Sequence, residues 1–144
     1  MGLDAVVYKN RNNLFLDEVD TALMDRQTGE VYFEDPAIAA KYREQSLMAI
    51  HRRLGNVGSI DSLRSEIPSK VADELPILFG KVLYNGSHSG DVIDLGLLNS
   101  LEDQVELLSK RTSDSRSPAL TTFLQNMRDL IRVAISEQNP IVFV

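Results

Sequence analysis

The run SPALTTFLQNMRDLIRVAISEQNPIVFV, residues 117–144, decides the fold. Ser117 offers a hydroxyl for the helix N-cap. Pro118 takes the first helical position, where its missing N–H costs nothing. Leu120, Phe123, Leu124, Met127, Leu130, Ile131 and Ala134 then recur at steps of three and four, which puts one apolar stripe on a helix. Gln125, Asn126, Arg128, Asp129 and Arg132 make up the polar face. Asn139-Pro140 stops the helix, and Ile141-Val142-Phe143-Val144 reads as a buried strand.

Such a strand needs a partner, and Asp4–Tyr8 has the matching character: short, β-branched and apolar. Pairing the two draws both ends of the chain into one small sheet. Lys9–Asn13 is a polar turn, since asparagine tolerates left-handed backbone and bonds its own main chain. Ala22–Asp25 and Glu30–Phe33 flank Arg26-Gln27-Thr28-Gly29, and the glycine near the end of that connection suits a hairpin. Asp35-Pro36 opens a helix whose face Ile38, Tyr42, Ala49, Ile50 and Leu54 extends to about Leu54. Gly55 would cap it, with His51, Arg52 and Arg53 in the last turn.

Ser59 is a candidate cap for a short helix through Ile60, Leu63 and Ile67, ended by Pro68. Val71–Leu83 holds a second short, buried helix restarted at Pro76. Tyr84–Asp94 reads as a loop. Asp94 would cap the helix that carries Leu98, Leu101, Val105 and Leu108. That seam has heptad-like spacing for barely two repeats and suits a core face better than a coiled coil. The fold expected is α+β: a small, mostly antiparallel sheet including both termini, packed against four to six helices. At 144 residues the chain is one domain, spanning 1–144, able to bury about 68–70% of its unfolded surface.

Composition narrows the function. No cysteine is present, which excludes disulfides, thiolate zinc sites and cysteine nucleophiles. The net charge of −6 disfavours nucleic acid as a partner. No apolar run approaches 18 residues, so the expectation is a cytoplasmic protein with no membrane span. The carboxylates are unevenly spread. Asp17, Glu18, Asp20, Asp25, Glu30, Glu34 and Asp35 are seven of the 21, set against the single cation Arg26. An acidic ribbon of this kind would meet a basic patch on a protein partner. It would equally discourage edge-to-edge aggregation.

The other candidate is the loop Asn85-Gly86-Ser87-His88-Ser89-Gly90-Asp91. Read as catalysis, His88 would be a general base, Asp91 its orienting partner, and Ser87 or Ser89 the nucleophile. Read simply, it is a polar turn bonded to its own backbone. His51 and His88 lack metal-ligand spacing, and no phosphate loop is present, so neither metal nor cofactor is expected.

The opening Met1-Gly2-Leu3-Asp4-Ala5-Val6-Val7-Tyr8, the loop Ser87–Asp91 and the ending Asn139–Val144 resemble a family of small bacterial proteins. That resemblance brings no activity with it. In size, acidity and lack of cysteine the chain is also similar in type to immunity proteins of bacterial toxin systems. Those are compact cytoplasmic proteins that bind one cognate toxin, often over its basic active site. The likeness implies a non-enzymatic domain whose partner-binding residues are Asp17, Glu18, Asp20, Asp25, Glu30, Glu34, Ser87, His88 and Asp91. The alternatives are a small enzyme or ligand-binding domain using the Ser87–Asp91 loop, and a homodimer formed through the apolar face of Leu97–Ser109.

Overall fold

The computed structural model describes residues 2–14, 21–42, 47–84 and 86–144. It is α+β. Strand β1 (Gly2–Tyr8) is followed by a two-stranded ribbon, β2 (Leu23–Met24) and β3 (Val31–Tyr32), and by the short helix α1 (Pro36–Lys41). Strand β4 (Met48–Asn56) leads into α2 (Val57–Glu66) and α3 (Ser69–Ala72), then a single π-helical turn at Leu78–Val82. Strand β5 (Val92–Ile93), helices α4 (Leu98–Arg111) and α5 (Pro118–Glu137), and strand β6 (Ile141–Phe143) complete the chain. The main sheet has the order β4-β1-β6-β5, with every neighbour antiparallel.

Helix α5 forms as its sequence dictates. The Leu120 N–H donates to Ser117 Oγ at 3.2 Å, and the predicted stripe is buried from Leu120 to Ala134. The helix ends at Gln138 in a left-handed conformation, φ 57°, and the Asn139 N–H closes on the Ala134 carbonyl. The stripe lies against β1, β4 and β6, and α4 packs alongside it. The terminal pairing is as expected: Ala5 faces Phe143 and Val6 faces Val142. Residues alternate across β1, so Leu3, Ala5 and Val7 join the helix-side core while Val6 and Tyr8 form a smaller cluster with Val142 on the other face.

Several expectations are corrected. The helix opened by Asp35-Pro36 stops at Lys41, and 48–56 is the edge strand β4. Ile50 and Leu54, four apart, satisfy a helix or a strand equally, so local spacing did not discriminate. Register shifts against β1 near Ala49 and Leu54 blur the alternation further. Pairing with β1 is what makes it a strand, and Arg52 secures it by reaching Asp129 on α5 at 3.4 Å. Gly55 is therefore no helix cap. It is the penultimate residue of the strand, at φ 152°, where a side chain would run into Ser59 Oγ.

Asn56, not Ser59, caps α2. The Ser59 N–H donates to Asn56 Oδ1, and the Asn56 N–H donates to Ser59 Oγ. The expected loop 84–94 contains β5, a strand of two residues too short to show a period. Asp94 precedes a short 3₁₀ turn without a side-chain cap. Leu98, Leu101, Val105 and Leu108 are core, so the face proposed for a homodimer is already covered. The last residue, Val144, is half-exposed although its N–H donates to the Asp4 carbonyl.

Candidate functional site

Two places in the fold carry the residues singled out in the sequence. The first is the β2–β3 ribbon, where Leu23 faces Tyr32 and Met24 faces Val31. Its turn is built by Asp25, whose Oδ1 accepts from the Gln27 and Thr28 N–H groups at 2.8 and 2.9 Å. Those two bonds, Thr28 foremost, hold the Asp25 carboxyl below its ordinary value. Gly29 follows at φ 77°, packed so closely on the Asn139 amide that a Cβ would collide with it. Asn139 Nδ2 in turn donates to the Tyr8 carbonyl at 2.9 Å, which seats the ribbon at the Tyr8 end of β1. Tyr8 feels the ribbon as well: burial first, then the charges of Glu30 and Asp25, raise its pKa.

The carboxylates therefore differ in role. Asp25 holds the turn, and Asp35 caps α1 by accepting from the Ala37 N–H at 2.8 Å. Glu34 is exposed and Glu30 half-buried. Asp17, Glu18 and Asp20 lie outside the described residues. Between the carboxylates stand side chains that the sequence reading treated only as strand formers. Met24 and Tyr32 are each 46% exposed and Leu23 37%. Strand alternation explains why one residue of β3, Val31, is buried and its neighbour is not.

The second place lies towards the Gly2 end of β1, where Gly2, Leu3 and Asp4 line a pocket beside the loop 86–91. Here the loop 86–91 leans on β6: the Gly90 N–H donates to the Phe143 carbonyl, and the Phe143 N–H donates to the Asp91 carbonyl. His88 is buried, at 8% exposure, and is not the exposed loop residue expected. Its ring stacks on Tyr84 at 3.8 Å and tilts against Phe143 at 5.6 Å. His88 Nδ1 sits 3.2 Å from the Gly86 carbonyl. The Tyr84 hydroxyl donates to the Asp91 carboxylate and lies 2.8 Å from the Ser87 carbonyl. Desolvation, reinforced by Asp91, pushes the Tyr84 pKa up to about 12. Asp91 thus serves Tyr84, and the hypothetical Ser–His–Asp relay is not assembled. Ser87 and Ser89 are exposed at the rim, and Asn85 lies outside the described residues.

Beside this loop is a pocket of about 270 Å³. Leu3, Ile60 and Tyr84 give it apolar wall, and Asp4, Ser87, His88 and Ser89 give it polar groups. Two buried side-chain atoms have no hydrogen-bond partner among the described residues, Asp4 Oδ1 and His88 Nε2, and both belong to residues that line this pocket. Asp4 Oδ1 has His51 Nε2 at 3.8 Å, beyond hydrogen-bond distance. Tyr84, which organises the loop, was missed in the sequence. A tyrosine seven residues before an aspartate is no recognisable signal until the loop closes.

Compared with known proteins, the chain has no significant match to a family model, a curated protein or a solved structure. Among the described residues no cluster of His, Cys, Asp and Glu fits a metal ion. No described helix is long and apolar enough to cross a membrane.

Proposed function

We propose that this chain is a non-enzymatic protein-binding domain of the cytoplasm. It acts as an immunity protein that neutralises a cognate toxin, meeting a basic partner through the β2–β3 ribbon. The reading is carried by Leu23 and Tyr32, exposed opposite one another on a ribbon bordered by Glu30, Glu34 and Asp35. Apolar side chains rimmed by charge suit an interface, because the centre buries area while the rim steers approach and selects the partner. Among the described residues β2 and β3 pair only with each other, which leaves ribbon edges available for strand addition. Catalysis at the Ser87–Asp91 loop has weaker support, since Asp91 is bonded to Tyr84 and His88 faces a carbonyl.

The test is to capture the partner with the tagged chain and compare association kinetics with the Glu30→Lys/Glu34→Lys variant. Asp25 and Asp35 are left intact because their carboxylates hold local structure. The reading expects association slowed by about tenfold at low salt, with a shallower salt dependence. An unchanged rate refutes the ribbon as the contact surface.

A further inference from the structure

A buried nitrogen with no partner is costly, and its chemistry says what would satisfy it. A carbonyl only accepts, so the His88 nitrogen facing the Gly86 carbonyl at 3.2 Å must carry the hydrogen. In the neutral ring that leaves Nε2 with a lone pair and no proton. It is the unpartnered atom, and the ring is fixed in place between Tyr84 and Phe143. The second unpartnered atom, Asp4 Oδ1, is also an acceptor. A complementary molecule therefore brings a donor.

An anion suits the pocket poorly. Among the described residues no lysine or arginine lines it, and Asp4 carries negative charge. The α2 N-terminus lies at its edge through Asn56 and Val57, but the N–H of Ser59 is already taken by Asn56 Oδ1. Size sets a limit as well: about 270 Å³ is just below the usual range for ligand pockets, roughly 300–1,000 Å³. That admits a single ring or its equivalent, with Leu3, Ile60 and the Tyr84 ring around the apolar body.

We propose that this pocket binds a small molecule without negative charge, with an apolar body and one hydroxyl or N–H, whose hydrogen is donated to His88 Nε2. Nε2 exposes almost no surface, so binding must displace the rim of Gly86, Ser87 and Ser89, all three exposed and small, for the donor to reach it. This site is independent of the ribbon and survives if the partner-binding reading fails.

Phenol, toluene and benzoate are matched probes: one ring, with a donor, with neither donor nor charge, and with an anion. The readout on the full chain is the ¹⁵N signal of the His88 ring, with the backbone amide signals of α4, which contributes nothing to the pocket lining, as internal reference. Phenol should shift His88 saturably and bind about fivefold more tightly than toluene, against the order of their hydrophobicity. His88→Phe, which keeps a ring in the stack but removes the acceptor, should erase that preference. Equal binding of phenol and toluene, tighter binding of benzoate, or no saturable shift each overturns the proposal.

Discussion

Phe143→Ala is the sharpest probe of the architecture. Phe143 is 1% exposed, lies opposite Ala5 in the sheet and touches the His88 ring. Removing a buried phenylalanine side chain costs about 3–5 kcal/mol in lost transfer energy and residual cavity. An unfolding entropy of about 2.1 cal/mol/K per residue gives about 0.3 kcal/mol/K for a chain of this length. The melting temperature should therefore fall by about 10–16 °C, and the denaturant midpoint should fall with its slope unchanged. Val144→Ala is the matched control. Its side chain is half-exposed and only its backbone N–H is bonded inward, so the change should stay within about 0.5 kcal/mol. Calorimetry and urea unfolding of both variants make the comparison. A loss under about 1 kcal/mol for Phe143→Ala would mean that β6 is not a packed inner strand, and the terminal pairing would fall with it.

Two further expectations follow from backbone geometry and titration. Gln138 holds a left-handed conformation without being glycine, so Gln138→Gly should stabilise the fold by about 1 kcal/mol; a loss of stability would contradict the helix end described. The Asp25 carboxyl should titrate with a midpoint below its ordinary 3.8, and the Thr28 and Gln27 amide signals should follow it. Because the folded pKa is the lower one, the turn's contribution is complete above the unfolded value and disappears as pH falls through the folded midpoint. A carboxyl ¹³C titration centred at or above 3.8 would show that those amides do not donate to Asp25.

What the sequence revealed follows from where structure is local. Helix α5 states its own boundaries through Ser117, Pro118 and Pro140, and its burial through a seven-residue stripe. The ribbon turn was visible because Gly29 needs a positive φ. By contrast, β4 shares a four-residue apolar spacing with a helix and becomes a strand only by pairing with residues nearly fifty positions earlier. Strand β5 is shorter than any readable period. The acidic residues of the candidate interface were legible as charge. Their division into turn-builders such as Asp25 and free rim such as Glu34 depends on hydrogen bonds that composition does not encode. Likewise, His88 looked exposed inside a polar glycine-rich loop. It is buried because Tyr84 and Phe143 close on its ring.

The most direct test of the partner-binding account is hydrogen exchange of the captured complex against the free chain. Slowed exchange across residues 21–35, with the loop 86–91 unchanged towards the Gly2 end of β1, is the predicted footprint. Protection confined to the loop, or to the α4 and α2 surfaces, with the ribbon exchanging as in the free chain, would contradict it.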